Sequence, residues 1–185
     1  MSEIQEIAQL GAPVLRLKAA VVEDVHSAEI KSVINDLLLT LAESEGVGLA
    51  APQISASWRI MVVASRRSKR YPQAPIMQPT VMINPSFKVL EHQKVTAWEG
   101  CLSIPYLTVD VTRYDNITVS YYNVEGEKKE IEINKRMSRL FQHELDHLNG
   151  RIFFHRNAKD FMLSRELSED NMDKFVQMVD EKINK

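Results

Sequence analysis

The chain has 185 residues, of which 44% are hydrophobic and 26% charged, an ordinary globular composition that excludes collagen-like and charge-driven disordered chains. Its 23 basic and 25 acidic side chains give a net charge of -2, so no global positive field would hold nucleic acid or an anionic membrane. No apolar stretch approaches the roughly 20 residues of a membrane span, and the N-terminus is acidic where a targeting peptide would be basic. We therefore expect a cytoplasmic protein that forms one domain over residues 1–185.

The first predicted element is an amphipathic helix that begins after Ser27 and ends near Gly46. Serine is a preferred N-cap residue, because its side-chain oxygen accepts a hydrogen bond from a free backbone N–H. The hydrophobic residues that follow recur with helical spacing and share one face; they are Ile30, Val33, Ile34, Leu37, Leu38 and Leu41.

Short runs rich in β-branched and aromatic residues follow and predict strands. These runs are residues 60–64, 80–83, 87–90, 117–122 and 130–133. Gly126 indicates a hairpin between the last two runs, and the proline-dotted stretch 71–79 indicates a surface loop. The sequence therefore predicts small, mostly antiparallel sheets.

Two further helices are predicted in the last third of the chain. One spans about 135–148 and stops at Asn149-Gly150, a common helix C-terminus. The other lies at about 165–185 and carries an apolar stripe of Met172, Phe175, Val176, Val179 and Ile183. A helix, then strands, then helices is the order of an α+β fold, with the sheets packed around the helix at 135–148.

The middle helix contains the pattern H-E-x-x-H, formed by His143, Glu144 and His147. Residues four apart lie on one helix face, so both imidazoles can bind one metal ion. Glu144 can accept a proton from water in metal-assisted hydrolysis. The alternative is a surface helix with two chance histidines, but Leu140 and Leu148 place this face towards the core, where such groups need partners or a metal.

Two histidines leave the site one protein ligand short. Cys101 is the chain's one cysteine, and a thiolate with two imidazoles leaves a fourth position open. A lone cysteine is also common as inert core. Glu166, Glu169 and His155 are other candidates, whereas the third histidine of metzincin proteases is excluded by Phe153.

Two glycine-containing segments could form the rest of a site. Gly100 would let the backbone approach the metal beside Cys101, and the N–H of Leu102 could face a substrate oxygen. The segment 46–53 would run close to an extended peptide, and Gln53 could donate a hydrogen bond to an oxyanion. An ordinary glycine turn after a helix is the alternative for this second segment.

The chain strongly resembles the peptide deformylase family in three segments that stand in the family's order: G-V-G-L-A-A-P-Q at 46–53, E-G-C-L-S at 99–103 and Q-H-E-L-D-H at 142–147. P-V-L-R at 13–16 and I-N-P at 83–85 extend the resemblance, which covers about residues 8–155. It implies a hydrolase that removes the N-formyl group from the formylmethionine of newly synthesised polypeptides and releases formate.

The resemblance also implies roles for the matched residues. The metal ligands would be Cys101, His143 and His147, with Glu144 as acid/base, and the oxyanion donors would be Gln53 and the Leu102 N–H. Fe²⁺ would be the native metal, and Zn²⁺, Ni²⁺ or Co²⁺ could occupy the site.

The same resemblance places the substrate backbone along 46–48, that is Gly46, Val47 and Gly48. The methionine side chain would enter a pocket whose wall includes Val47, Leu140 and His143. The partners would be nascent peptides, with transient ribosome contact if any. Glu99 and Arg113 resemble the family's buried acid and arginine, which brace the ligands; two surface charges are the alternative.

Three positions are left open by the sequence. Residues 106–110 depart from the glycine and following basic residue of many deformylases, which affects the outer substrate subsites. Arg139 stands where some members have an aliphatic residue and others an arginine. Asp146 either orients a ligand imidazole or faces solvent.

Two other functions are compatible with the H-E-x-x-H pattern. A metallopeptidase that cuts internal peptide bonds would use a different third ligand and a long cleft. A non-catalytic metal-binding or ribosome-interacting module would need neither Glu144 nor Gln53, so their presence favours the deformylase prediction.

Overall fold

Two α-helices and two antiparallel sheets make up the part of the chain that the computed structural model describes, residues 2–67, 74, 76–156 and 160–163. The helices are α1 (Ala28–Glu43) and α2 (Lys135–Leu148). The strands are β1 (Gly48–Ala50), β2 (Ile60–Ser65), β3 (Met77–Val89), β4 (Lys94–Cys101), β5 (Ile104–Tyr114), β6 (Asn116–Tyr122), β7 (Lys128–Asn134) and β8 (Phe161–Leu163). Short 3-10 helices lie at Pro13–Arg16, Ala51–Ile54 and Phe153–Arg156.

Both sheets contact α2. The larger sheet has the strand order β1-β2-β3-β6-β7 and the smaller has the order β4-β5-β8, and every strand pair in both is antiparallel. Helix α2 contacts β1, β2, β6 and β7 of the larger sheet and β5 of the smaller one. The predicted α+β class is confirmed, and α2 is positioned to bring together groups from both sheets.

Helix α1 forms as its sequence predicts. The Ser27 hydroxyl accepts a hydrogen bond from the Ile30 N–H at 3.3 Å, and the helix ends at Glu43, three residues before Gly46. Its buried face contributes Leu37 and Leu41 to a core shared with β2. This packing holds α1 against the larger sheet.

Helix α2 also has the predicted bounds. Gly150, just past its end, has a φ of +67°, and a Cβ there would lie 2.6 Å from the Arg16 carbonyl oxygen. A left-handed glycine is the usual helix stop, and here the close approach also excludes a side chain.

Several strand predictions were wrong in extent. Residues 80–83 and 87–89 belong to one long strand, β3, whose register shifts between Ile83 and Ser86, and Leu90 lies just past its end. Within that shift Asn84 has a φ of +50°, and its side chain accepts from the Val22 N–H at 2.9 Å and donates to the Val22 carbonyl at 2.8 Å. An asparagine that binds a distant backbone replaces the predicted break between strands.

Other segments were missed or lie elsewhere. Strands β4 and β5 were not predicted, and the glycine segment at 46–53 contains strand β1 and a 3-10 helix. The loop predicted at 71–79 ends earlier, because β3 begins at Met77; residues 71–73 and 75 lie outside the described residues, as does the helix predicted at 165–185.

Tyr106 occupies a backbone conformation that favours glycine. Its φ is +66°, which for a residue with a Cβ costs about 1 kcal/mol. This is the position where many members of the resembled family have glycine.

We therefore expect Tyr106→Gly to raise the free energy of unfolding by about 1 kcal/mol, because it relieves the strained backbone. Urea unfolding at pH 7 measures this. Tyr122→Gly is the matched control, since Tyr122 is also exposed but lies within β6, and it should destabilise the protein. Equal destabilisation by both substitutions would contradict the assignment of strain to Tyr106.

Candidate metal centre

Helix α2 and the end of β4 bring a cysteine and two histidines together. One helical turn separates His143 from His147, and their ring centroids are 5.1 Å apart. Cys101 Sγ lies 3.3 Å from His147 Nε2. One ligand atom from each of the three residues lies within 4.8 Å of the other two.

The chemistry and spacing of this trio fit one divalent metal ion. Zn²⁺ binds nitrogen and sulfur ligands at about 2.0–2.3 Å. Three ligand atoms within 4.8 Å of one another are therefore nearly as close as the ligands of one ion. Glu144 Oε2 and His147 Nδ1 are buried and have no hydrogen-bond partner among the described residues. A buried polar atom without a partner is costly, so both atoms could accept a bound group that is not among the described residues.

Glu99 connects His143 to the rest of the protein. Its Oε2 lies 2.9 Å from His143 Nδ1, and Arg113 donates to both carboxylate oxygens, from Nε at 2.9 Å and from Nη2 at 2.8 Å. Burial alone raises the pKa of Glu99, but Arg113 and His143 outweigh it and hold that pKa well below its ordinary value. The charged carboxylate accepts the Nδ1 proton, which leaves Nε2 of His143 available to a metal.

The two histidines titrate in opposite directions. Burial lowers the pKa of His143, but hydrogen bonds to Cys101 and Glu99 outweigh it and raise that pKa. Burial, and then the charge of His143, lower the pKa of His147. His147 is therefore held in the neutral form, which is the form that binds metals.

Arg113 lies at the centre of a buried ion-pair network. Besides Glu99 it binds Asp146, whose Oδ2 accepts from Nη1 at 2.5 Å, and Arg156 binds the same carboxylate. Burial lowers the pKa of Arg113, but the two acids outweigh it and raise that pKa. Both alternatives for Asp146 were wrong, because it is 2% exposed and its carboxylate binds two arginines.

The Gln53 amide has a defined orientation beside Cys101. Its Oε1 accepts from the Ala50 N–H at 2.8 Å. Its Nε2 donates to the Ser103 hydroxyl at 3.1 Å and lies 3.9 Å from Cys101 Sγ. Because the oxygen is engaged by the backbone, the NH₂ group must face the cysteine side.

Strand β1 passes directly over Glu144. A Cβ on Gly48 would lie 2.4 Å from Glu144 Oε1 and 2.8 Å from Leu140 Cδ1. Gly100 differs, because its Cβ would meet Thr108 Cγ2 at an ordinary 3.6 Å. The expectation that Gly100 lets the backbone approach a metal stays a prediction, whereas Gly48 already lies against the Glu144 carboxylate.

A cavity of about 1130 Å³ opens over these groups. The segment 46–48, Leu140 and His143, which the sequence predicts to contact the substrate, line it together with Glu144, the predicted acid/base residue. Its wall also contains residues that sequence reasoning missed, Trp98, Met162 and Leu163 among them. No motif marks these residues, and pairing of β5 with β4 and β8 brings them to the cavity.

The other proposed ligands do not join the cluster. His155 lies in the 3-10 helix Phe153–Arg156, is exposed, and its Nδ1 accepts from the Ile152 N–H at 3.1 Å. Glu166 and Glu169 lie outside the described residues. Within the described part of the chain, no helix is long and apolar enough to cross a membrane.

A Cys-His-His trio beside a buried, unpartnered glutamate, at the base of an open cleft in an α+β fold, defines a metal-dependent hydrolase. Comparison with known proteins specifies which one. The family model for polypeptide deformylase matches residues 4–161, and the chain belongs to this family.

Named relatives and solved structures agree with this assignment. Peptide deformylase 2 of Nostoc sp. is 46% identical over 154 residues, 83% of this chain and 86% of the relative. A class I type b peptide deformylase structure from Acinetobacter baumannii with bound Met-Ala-Ser superposes with a TM-score of 0.78 at 38% identity and covers 84% of this chain and 99% of that one. The Thermotoga maritima enzyme gives 0.73 at 35% identity, covering 83% and 97%.

The protein is thus a metal-dependent amide hydrolase that removes the N-formyl group from the N-terminal formylmethionine of newly synthesised polypeptides. Family membership implies a divalent metal, which agrees with the Cys-His-His cluster.

The close contact at Gly48 makes a sharp prediction for activity. Gly48→Ala should displace the Glu144 carboxylate and lower kcat/KM for deformylation about 100-fold, the effect of a displacement of about 1 Å at a reacting group. Formate release by metal-matched proteins measures this. Full activity of Gly48→Ala with a full metal content would contradict the prediction.

Proposed function

We propose that Cys101, His143 and His147 hold the metal and that Glu144 is the acid/base residue of deformylation. The observation that carries this proposal is the convergence of three ligand atoms within 4.8 Å beside the buried, unpartnered Glu144 Oε2. Fe²⁺ is the proposed native metal. Zn²⁺, Ni²⁺ or Co²⁺ could replace it, because sites with nitrogen and sulfur ligands suit several of these ions.

Glu144 is suited to move protons at neutral pH. Burial raises its pKa to about 7, so the carboxylate can take a proton from the attacking water and return it to the departing amine. The divalent metal, when bound, supplies Lewis-acid activation of water and polarisation of the formyl oxygen. The products are formate and a free N-terminus.

Two donors beside Cys101 would stabilise the negative charge that develops on the formyl oxygen. Gln53 contributes its Nε2, which hydrogen bonds to Ala50 and Ser103 hold in place. Leu102 contributes its backbone N–H, directly after the cysteine. Donors that are held in place before the reaction need no reorganisation in the transition state.

The substrate would lie along β1 as an added strand. β1 is an edge strand of the five-stranded sheet and pairs with β2, so its other edge is available to an extended peptide. The methionine side chain would enter the cavity between Val47, Leu140 and His143. We propose further that residues 1–185 act as one catalytic domain in the cytoplasm, on nascent chains and with transient ribosome contact.

Formate release from formyl-Met-Ala-Ser by anaerobically purified, Fe²⁺-loaded protein tests the proposal. The parent should release formate, and Cys101→Ala should lose both metal and activity. An N-acetylated peptide is the control for peptidase action, and its internal peptide bonds should stay intact. Metal retention by Cys101→Ala, or an inactive parent with a full metal content, would overturn the proposed site.

A further inference from the structure

Arg139 makes a set of contacts that the proposed mechanism does not use. It lies four residues before His143 on α2, so both side chains project from the same helix face. Its side chain is 15% exposed, and its Nη1 donates to Glu99 Oε1 at 2.8 Å. The same guanidinium donates to three strand carbonyls, those of Val95 at 2.5 Å, Ala97 at 3.2 Å and Val111 at 2.6 Å.

These contacts complete a second connection between Glu99 and α2. Glu99 Oε1 accepts from Arg113 Nε and from Arg139 Nη1, whereas Oε2 accepts from Arg113 Nη2 and faces His143 Nδ1. Arg113 belongs to β5 and reaches α2 through separate contacts to the Gln142 carbonyl and to Asp146, so it connects Glu99 to the helix indirectly. Arg139 lies on α2 itself and ties Glu99 directly to the helix that carries His143.

We propose that Arg139 is a positioning residue for the metal centre. By holding Glu99 Oε1 from α2, it keeps Oε2 in line with His143 Nδ1 and so fixes the direction of the ligand's Nε2. This inference rests on the proposed role of His143 as a ligand. Residues that orient metal-bound histidines typically change metal affinity by about 10- to 100-fold when replaced.

A simpler role is a structural brace between α2 and the hairpin of β4 and β5. The contacts to Val95, Ala97 and Val111 would suffice for it. A brace predicts that replacing Arg139 lowers the melting temperature and leaves the metal site of the folded protein unchanged. Positioning predicts weaker metal binding under conditions where the variant is fully folded.

The test measures loss of Co²⁺ from the full-length protein to an excess of chelator, well below the melting temperature. Arg139→Leu should lose Co²⁺ about tenfold faster than the parent, with a changed Co²⁺ absorption spectrum, because the direction of one ligand has changed. Arg139→Lys should lie between the two, since an ammonium can bind Glu99 but cannot reach all the carbonyls. Arg151→Leu, which removes an exposed arginine just after α2, is the matched control and should behave as the parent.

A double-mutant cycle with Glu99→Gln decides whether Arg139 acts through Glu99. The Co²⁺ loss rate should respond to Arg139→Leu when Glu99 is intact, and much less when Glu99→Gln is made in the same chain. Equal effects in both backgrounds, or parent-like Co²⁺ retention by Arg139→Leu, would overturn the proposal. If Glu99→Gln does not fold, the rates and spectra of Arg139→Leu and Arg139→Lys decide alone. Failure of the proposed metal site would give a different result: the parent would not hold Co²⁺, or Cys101→Ala would still hold it.

Discussion

Glu144→Gln is expected to lower kcat for deformylation by about 10²- to 10⁴-fold, the contribution of a positioned general acid/base, while the metal content stays unchanged. The amide has nearly the shape of the carboxylate but cannot accept a proton from water. Formate release by Fe²⁺-loaded protein, with iron quantified in the same samples, measures the effect. Loss of iron together with activity would instead make Glu144 a residue that holds the metal.

The same substitution should stabilise the metal-free protein at neutral and alkaline pH. Burial raises the pKa of Glu144 from 4.5 to about 7, and at 1.36 kcal/mol per pKa unit the buried charge costs about 3 kcal/mol above pH 7. The sign follows from linkage: below pH 4.5 the residue is protonated in both states and carries no cost, and the cost develops as pH rises from 4.5 to 7.

Urea unfolding of the metal-free protein as a function of pH measures this effect. Glu144→Gln should match the parent at pH 4 and exceed it by about 3 kcal/mol at pH 8. Glu43→Gln, at an exposed position near the end of α1, should change little at either pH. A pH-independent difference would mean that the gain does not come from the buried charge.

Arg113→Leu is expected to destabilise the metal-free protein by about 3 kcal/mol at pH 7, because it leaves two buried carboxylates short of a partner. Glu99 and Asp146 are 6% and 2% exposed. The expected loss lies at the lower end of the usual range, since Arg139 still binds Glu99 and Arg156 still binds Asp146. Urea unfolding measures the loss.

The loss should shrink in acid. Burial raises the pKa of Glu99, but Arg113 and His143 outweigh this effect and hold that pKa well below 4.5. The stabilisation from this ion pair is therefore fully present above pH 4.5 and disappears as pH falls towards the folded-state pKa. Lys129→Leu, which breaks an exposed pair with Glu127, should have no measurable effect, and a loss for Arg113→Leu that does not change with pH would contradict the role of Glu99.

Local pattern predicted the helices well. The helix after Ser27 and the helix Lys135–Leu148 have the expected positions, because capping and a 3.6-residue period act within one or two turns of chain. The i, i+4 spacing of His143 and His147 likewise required no knowledge of the fold. Strands β4 and β5 were missed, since their stability depends on pairing with each other and on what covers each face.

The sequence by itself determined the α+β class, both described helices and, through three matched segments, the deformylase family. Only the tertiary structure decided that Asp146 binds arginines, that Gly48 lies against Glu144, and that Arg139 reaches Glu99, which is 40 residues away in the chain. Contacts of this kind depend on which strand lies opposite a helix face. No local periodicity predicts that arrangement, because packing between distant segments determines it.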